Sequence, residues 1–390
     1  MLRALCFSTA ILALHLHSGH ARADAPSDLG ANAALRYWQA FATMPKFTDA
    51  EQNKLVAECL TMPIDGQARE TLRKAEYALR MMHLGAMLPR CDWGIDWEAG
   101  GIEVLLPQMG AARVLSSLAS LRARLRFEAG ETGEALDDLV AATCMGRQVS
   151  QDGSLIGVLF GYSIEGRMSE AIALYLPRLD KETIKKLKMR LDALPEGGNP
   201  AVGLRVCEEK TLDWFLNKVK SAKDQKALVD VITPFALLAA KPEGIKKGEQ
   251  LSGQAMLDQL GGSAAAVLKF AEAARPSYAL MAEKLTLPLG QFEKEFERES
   301  NRHAGNPVFK LFFPAVAKVR HSQARAEVRR ALLSAAFAVQ LDGPDALNAH
   351  ADPVAGGPFE YTKFDGGFEL RSKFDHQGHP PVLTVGRREK

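Results

Sequence analysis

Residues 125–142 read LRFEAGETGEALDDLVAA, and this stretch carries the clearest structural signal in the chain. Apolar residues recur at spacings of three and four on both sides of Gly130, which is the pattern of two amphipathic helices. Glycine adopts the left-handed conformation that ends a helix without strain, so Gly130 indicates a tight turn between them. The stretch therefore predicts an antiparallel helical hairpin.

The same hairpin resembles a tetratricopeptide-like repeat. Gly130, Ala135, Leu139 and Ala142 stand where such a repeat has its turn glycine and its small or apolar packing residues. The resemblance implies stacked helical pairs. An ordinary helical hairpin has the same spacing, and no second copy follows at a fixed period, so both interpretations stay open.

A helical period extends outward from this hairpin over residues 32–341. Thr48 followed by Glu51 predicts a capping box, and the segments 49–61 and 67–88 predict a further hairpin. An apolar stripe from Ile102 to Met109 predicts one continuous helix. The fold class predicted is all-α, an array of antiparallel helical hairpins, tetratricopeptide-like in part, with a small C-terminal β-hairpin.

The β-hairpin is predicted from a change of period after Gly343. Apolar and polar residues alternate over 358–374, Asp365-Gly366 indicates the turn, and 382–385 could add a third strand. The segment DPVAGGPFEY at 352–361 resembles the Asp-Pro…Gly-x-Pro-x-x-Tyr part of type II secretion major pseudopilins. That resemblance implies a small β-sheet in the tail.

More of the chain resembles a functionally uncharacterised family of secreted bacterial helical proteins. The resemblance rests on NAALRYWQAF at 32–41, CDWG at 91–94 and the same tail. The resemblance implies a helical architecture and an exported protein, and it does not predict a chemical reaction.

Residues 1–23 are predicted to be a signal peptide. They have a basic start at Arg3, an apolar stretch too short to span a membrane, and a small-x-small ending at Ala21–Ala23. The mature chain is expected to be periplasmic or secreted and to lack a membrane span. Three further regions are predicted: an N-terminal helical lobe at 24–195, a C-terminal helical lobe at 196–345, and a small β appendix and tail at 346–390.

Two glycine-rich interruptions support this division. In LPEGGNP at 194–200, Asn199 can cap a helix that begins at Pro200, which marks the boundary between the lobes. The Gly- and Lys-rich stretch 241–253 predicts a loop within the second lobe.

Charge and cysteine spacing exclude several classes of protein. The chain has 49 basic and 47 acidic residues, and removing the signal peptide leaves 47 of each, so nucleic-acid binding is not expected. No C-x-x-C motif is present, which argues against zinc and thioredoxin-like sites. The mature chain has four cysteines, which we predict to be buried free thiols, although disulfides remain an alternative; they are Cys59, Cys91, Cys144 and Cys207. A bond between Cys59 and Cys91 is not expected, because the predicted hairpin places them too far apart.

Motifs of common enzymes are missing from the sequence: G-x-S-x-G, S-x-x-K, G-x-G, a Walker loop and H-E-x-x-H. No cofactor is predicted. His376 and His379 could contribute to a metal site, but a solvated loop is the default interpretation and no metal is predicted. A basic helix predicts either a solvated face or a surface for an anionic polymer or lipid; its cations are Lys318, Arg320, His321, Arg325, Arg329 and Arg330.

The stretch CDWGIDW at 91–97 is the first choice for a site. Asp92, Asp96 and Glu98 are candidate catalytic carboxylates, and Trp93 and Trp97 could stack on sugar rings. Alternatively, the tryptophans close the end of a helical layer while the aspartates accept backbone hydrogen bonds in turns.

Two functions follow from these observations. The first is an exported helical scaffold or interaction protein without catalytic activity, whose unknown partner is a protein or a glycan. The alternative is a hydrolase or binding protein for cell-wall or extracellular glycans that uses the 91–98 loop. Two carboxylates about 5–9 Å apart in a cleft would favour the enzyme, whereas burial of both tryptophans would favour the scaffold.

Overall fold

The structure is a computed structural model, and it describes residues 31–238, 252–375 and 378–388. It is predominantly helical with a small antiparallel sheet near the C-terminus, which confirms the predicted fold class. The predicted signal peptide 1–23 and most of the predicted loop 241–253 lie outside the described residues.

The first helices form the part of the fold that contains residues 33–192. They are α1 (Ala33–Thr43), α2 (Asp49–Glu58), α3 (Gly66–Ala86), α4 (Trp97–Gly100), α5 (Pro107–Ala129), α6 (Thr132–Val149), α7 (Leu155–Tyr175) and α8 (Lys181–Asp192). The predicted hairpin is formed by α5 and α6. Gly130 ends α5 with φ = 83°, and its N–H donates to the carbonyl of Phe127. The left-handed backbone at this position explains the glycine.

The following helices begin at the predicted break before residue 200. They are α9 (Pro200–Gly203), α10 (Glu209–Ser221), α11 (Gln225–Leu238), α12 (Gly253–Gln259), α13 (Ala264–Lys284), α14 (Leu289–Arg302), α15 (Pro307–Phe312) and α16 (Pro314–Asp342). A π-helical turn joins α9 to α10 at Leu204–Glu208. Asn199 caps α9 through its side chain and Pro200 takes the first helical position, as the sequence predicts.

Two hydrophobic clusters hold the described helices together. The first cluster includes Tyr37, Leu115 and Ile164, and the second includes Phe215 and Phe292. The long helix α16 belongs to both. Its early residues pack in the second cluster and its residues from 324 onward pack in the first, so this one helix joins the two cores.

The C-terminal sheet has the strand order β1 (Glu360–Phe364), β2 (Gly367–Arg371) and β3 (Val382–Gly386), with antiparallel pairing throughout. The hairpin and the third strand are therefore confirmed. Leu370 and Val385 are fully buried and belong to the first cluster, because the sheet packs on α7 and α16.

Two local predictions are wrong. Segments 49–61 and 67–88 do not form the expected hairpin, because α2 packs on α5 whereas α3 packs on α1 and α6. The stripe from Ile102 to Met109 is not one helix: a short 3₁₀ turn ends at Glu103 and α5 begins at Pro107. Proline is favoured at the first position of a helix, which explains the interruption. The predicted capping box at Thr48 is present.

Among the described residues, no single helix has both the length and the apolar composition to span a membrane. Trp97–Glu103 and Pro107–Ala129 meet these criteria only as a pair, with a bend of 73° between them.

Candidate functional site

The two tryptophans of the 91–97 loop are buried. Trp93 is 9% exposed and Trp97 is 8% exposed. Their indole N–H groups donate to the carbonyls of Gln148 (3.0 Å) and Asp152 (3.1 Å), which lie at and just beyond the C-terminal end of α6. The last carbonyls of a helix lack partners within the helix. The loop therefore supplies hydrogen bonds at the end of α6.

Aromatic packing reinforces this position of Trp93. Its ring stacks on Tyr37 with centroids 6.0 Å apart and on Phe41 at 6.2 Å, and it meets the edge of Trp38 at 5.7 Å. Aromatic pairs at these separations are favourable beyond the area that they bury. Neither tryptophan presents an open platform for a sugar ring.

The candidate carboxylates of the loop are exposed, and the two aspartates are bonded to backbone N–H groups. Asp92 accepts from the N–H of Gly94 at 2.9 Å. Asp96 caps α4 by accepting from the N–H groups of Glu98 (3.1 Å) and Ala99 (2.9 Å). The Glu98 carboxylate points to solvent, 3.8 Å from the ammonium of Lys210. These contacts are those of turns and caps, as the structural interpretation predicts.

The cysteines are suited to packing. Cys59, Cys91 and Cys144 are free thiols, so the exclusion of a Cys59–Cys91 bond is confirmed. Burial raises the pKa of Cys91 to about 12 and that of Cys144 to about 11. Thiols with such pKa values stay protonated and unreactive near neutral pH. The side chain of Cys207 lies outside the described part of the chain.

The predicted basic surface of 318–330 is partly internal. Arg320 is buried and donates to the carbonyl of Leu287 at 3.0 and 3.3 Å. Arg330 lies 3.6 Å from Glu165. The cations of this helix therefore do not form one continuous face in solvent.

For the metal candidate, His376 lies outside the described residues. Within the ranges that the structure describes, no group of three or more histidine, cysteine, aspartate or glutamate side chains is arranged to hold a metal ion.

A different carboxylate forms the densest charged cluster. Asp138 on α6 has a fully buried side chain. Arg122 on α5 forms a two-pronged ion pair with it, one prong being Nε to Oδ2 at 2.9 Å. Arg126, one turn later on α5, donates to Oδ2 at 2.8 Å and to the carbonyl of Glu134 at 3.0 Å. His83 on α3 lies 2.7 Å from Oδ1 through its Nε2. Asp138 thus joins three helices.

These contacts keep the carboxylate ionised. Burial alone would raise the pKa of Asp138, but the hydrogen bonds from His83 and Arg122, together with the charges of Arg122 and Arg126, lower it. An ionised carboxylate can only accept hydrogen bonds, so His83 Nε2 carries the proton in this contact. Its Nδ1 then has a lone pair when the ring is neutral.

The cluster forms the floor of a cleft of about 660 Å³ between α3, α5 and α6. The lining residues are Arg73, Lys74, Glu76, Tyr77, Arg80, His83, Arg122, Arg126, Glu134 and Asp137. Arg73 and Lys74 pair with Glu70, whereas no carboxylate of a described residue lies within ion-pair distance of Arg80. The Arg80 guanidinium instead lies 4.9 Å from the ring centre of the exposed Tyr77. Five permanent cations and three carboxylates line the cleft, and the carboxylates of Glu70 and Asp138 pair with four of those cations, which leaves Arg80 without an ion pair to a described residue.

This arrangement is suited to binding anions. Guanidinium groups form two-pronged contacts with carboxylate or phosphate, and partial burial weakens the screening of their charge. The lining has one histidine, one tyrosine (Tyr77) and no serine, threonine or cysteine, so its one hydroxyl is the phenol of Tyr77.

A second charged cluster, around Glu299 and His303, combines a carboxylate, a histidine and an arginine as the Asp138 cluster does, but its residues do not line the cleft. Ser277 Oγ donates to Glu299 Oε1 at 2.7 Å and lies 3.1 Å from His303 Nε2. Glu299 lies 3.2 Å from that same ring nitrogen and pairs with Arg302 at 2.7 Å. A catalytic triad places its serine and its acid on opposite ring nitrogens. Because Ser277 is also 1% exposed, the cluster is structural.

The cleft is not among the sites predicted from the sequence. One signal was available in LDDLVAA: Asp138 follows Ala135 by three positions and precedes Ala142 by four, so it falls on the apolar face of the helix and needs buried partners. Arg122 and Arg126, spaced by four on the preceding helix, are suitable partners.

No family model, curated protein or solved structure matches the chain.

Proposed function

We propose that the chain is an exported helical scaffold that binds an acidic segment of a partner in the cleft between α3, α5 and α6, without catalysing a reaction. The observation that carries this proposal is that Arg80 lines the cleft without an ion pair to a described residue, next to Arg122 and Arg126, two guanidinium groups that share the single buried carboxylate of Asp138. A further anion would meet Arg80 and the outer faces of Arg122 and Arg126.

The glycan alternative has less support. Trp93 and Trp97 are buried, and Asp92 and Asp96 bind backbone N–H groups within the loop. A sugar would find neither a stacking surface nor a free pair of carboxylates at 91–98.

The cleft can be tested with a fluorescein-labelled decaglutamate peptide. Fluorescence anisotropy should show saturable binding that weakens as salt is added, because salt screens the charges. Arg80→Glu should weaken binding about tenfold or more, which corresponds to about 1.4 kcal/mol. Arg69→Glu is the matched control, since Arg69 is exposed on the same helix outside the cleft. An equal loss in both variants, or no binding to the unmodified protein, would contradict the proposal.

Export is a separate part of the proposal and rests on residues 1–23. Cleavage after Ala23 should give a mature chain that begins at Asp24. The intact mass of the protein from the periplasmic fraction or the medium is the measurement. A product that keeps its N-terminus and stays in the cytoplasm would contradict export and leave the cleft proposal standing.

A further inference from the structure

A second, smaller cavity of about 120 Å³ lies between α6, α7, α8 and α16, away from the cleft around Asp138. Glu165 and Arg147 form its inner part, with side chains 9% and 17% exposed. Lys188, Asp192 and Arg330 lie at its mouth, where their side chains are 43–64% exposed. The cavity therefore opens to solvent at one end and reaches a buried carboxylate at the other.

The inner charges have unused hydrogen-bonding capacity. Arg147 Nε lies 3.3 Å from Glu165 Oε2, but it makes no hydrogen bond with any residue that the structure describes. Arg330 Nη1 lies 3.6 Å from the same oxygen. No described residue donates a hydrogen bond to the Glu165 carboxylate. Ion pairs with Arg147 and Arg330 compensate the buried Glu165 carboxylate only in part, because its oxygens accept no hydrogen bond from a described residue, so a donor on a bound molecule would be stabilised here.

The remaining wall is mainly apolar and includes Ile172, Leu191, Leu333 and Phe337. Three hydroxyl side chains complete it: Thr143 and Ser169, which donate to backbone carbonyls of their own helices, and Ser334. The space is that of roughly four water molecules, which suits a molecule of a few heavy atoms. An apolar wall beside mixed charges is unfavourable for water alone and favourable for a small molecule that has a short aliphatic part.

We propose that this cavity binds a free amino acid with a small aliphatic side chain. The ammonium group donates to the Glu165 carboxylate, which has no other hydrogen-bond donor among the described residues. The carboxylate lies toward the mouth, where Arg330 and Lys188 supply positive charge, although Lys188 also pairs with Asp192 at 2.6 Å. The side chain packs on Leu333 and Phe337. This site shares no residue with the cleft and does not depend on the function proposed for it.

Three ligands test the two charge contacts separately. L-Alanine has both charged groups, propionate lacks the ammonium, and ethylamine lacks the carboxylate. Isothermal titration calorimetry on the full chain should show binding of L-alanine, with each analogue at least about tenfold weaker. Propionate binding as tight as that of L-alanine would show a simple anion site and overturn the assignment. No binding of L-alanine would show that the cavity holds only water, and would also overturn it.

Variants then assign the binding to this cavity. Glu165→Gln keeps the side-chain size and should weaken L-alanine binding about tenfold or more. Because Glu165 is buried and its loss could impair folding, Lys188→Glu at the mouth provides the second test and should weaken binding to a similar extent. Lys186→Glu is the control for Lys188→Glu, because it changes the charge by the same amount on the same helix at a residue that does not line the cavity. If Lys186→Glu weakened binding as much as Lys188→Glu, the cavity assignment would be wrong.

Discussion

The 91–98 loop and the cleft around Asp138 both contain carboxylates and aromatic rings, but these side chains differ in their contacts and in their exposure. In the loop, carboxylates and aromatic rings bind the backbone and the core, so Asp96 caps a helix and Trp93 is buried. In the cleft, one carboxylate is buried among cations while Arg80 and Tyr77 stay exposed. The difference shows that a dense cluster of polar and aromatic residues in the sequence can be a structural closure, and we propose binding instead at the cleft, where Arg80 has no ion pair with a described residue.

The largest effect is expected from the floor of the cleft. Asp138→Ala would leave Arg122, Arg126 and His83 without their shared carboxylate, and breaking a buried ion pair in this way costs about 3–5 kcal/mol. Asp137→Ala is the control, because that neighbour is half exposed in its pair with Arg190 and should cost less than about 1 kcal/mol. Urea unfolding measures both. Similar losses would show that the buried cluster contributes no more than a surface pair.

A somewhat smaller effect is expected in the loop. Trp93→Ala should lower the free energy of unfolding by about 3 kcal/mol, near the lower end of the range for a large buried aromatic side chain. Asp96→Asn should cost less than about 1 kcal/mol, because an amide oxygen can still accept the capping hydrogen bonds. Thermal and urea unfolding distinguish the two. A stable Trp93→Ala variant would mean that the loop is not a structural closure.

The smallest effect concerns acid. Because the pKa of Asp138 is lower in the folded chain than the ordinary value of about 3.9, its stabilisation is present above about pH 4 and is lost as the pH falls through the folded-state pKa. The stability difference between the unmodified chain and Asp138→Asn should therefore be constant from about pH 7 to pH 5 and shrink below about pH 4. Urea unfolding at several pH values measures it. A difference that stayed constant to about pH 3 would contradict the lowered pKa.

Local structure was largely predictable from the sequence. The turn at Gly130, the capping box at Thr48 and the β-hairpin at Asp365 each depend on neighbouring residues, and each is present. The partner of α2 was not predictable, because an amphipathic pattern identifies the face that is buried and does not identify the helix that covers it. The break before Pro107 had a local signal that the apolar stripe concealed.

The candidate site was less predictable for the same reason. Asp92 and Asp96 attract notice because they are adjacent to tryptophans in the sequence, yet their contacts are local. Asp138 acquires its character from His83, 55 positions earlier, and from Arg122 on a different helix. The sequence alone identifies neighbours along the chain, and it gives only indirect signals of neighbours that the fold brings together.

Helix α16 has a consequence for how the chain comes to be folded during synthesis. The first hydrophobic cluster begins at Ala33 but includes Val328 and Phe337, and Lys181 donates to the carbonyl of Leu341, 160 positions later. Contacts of such sequence separation slow folding, because a long loop must close before they form. When only residues up to about 320 have been synthesised, the part of the first cluster formed by helices α1 to α8 therefore lacks the residues of α16 that complete it. We expect the first cluster to stay incomplete until α16 has been synthesised and packs on it.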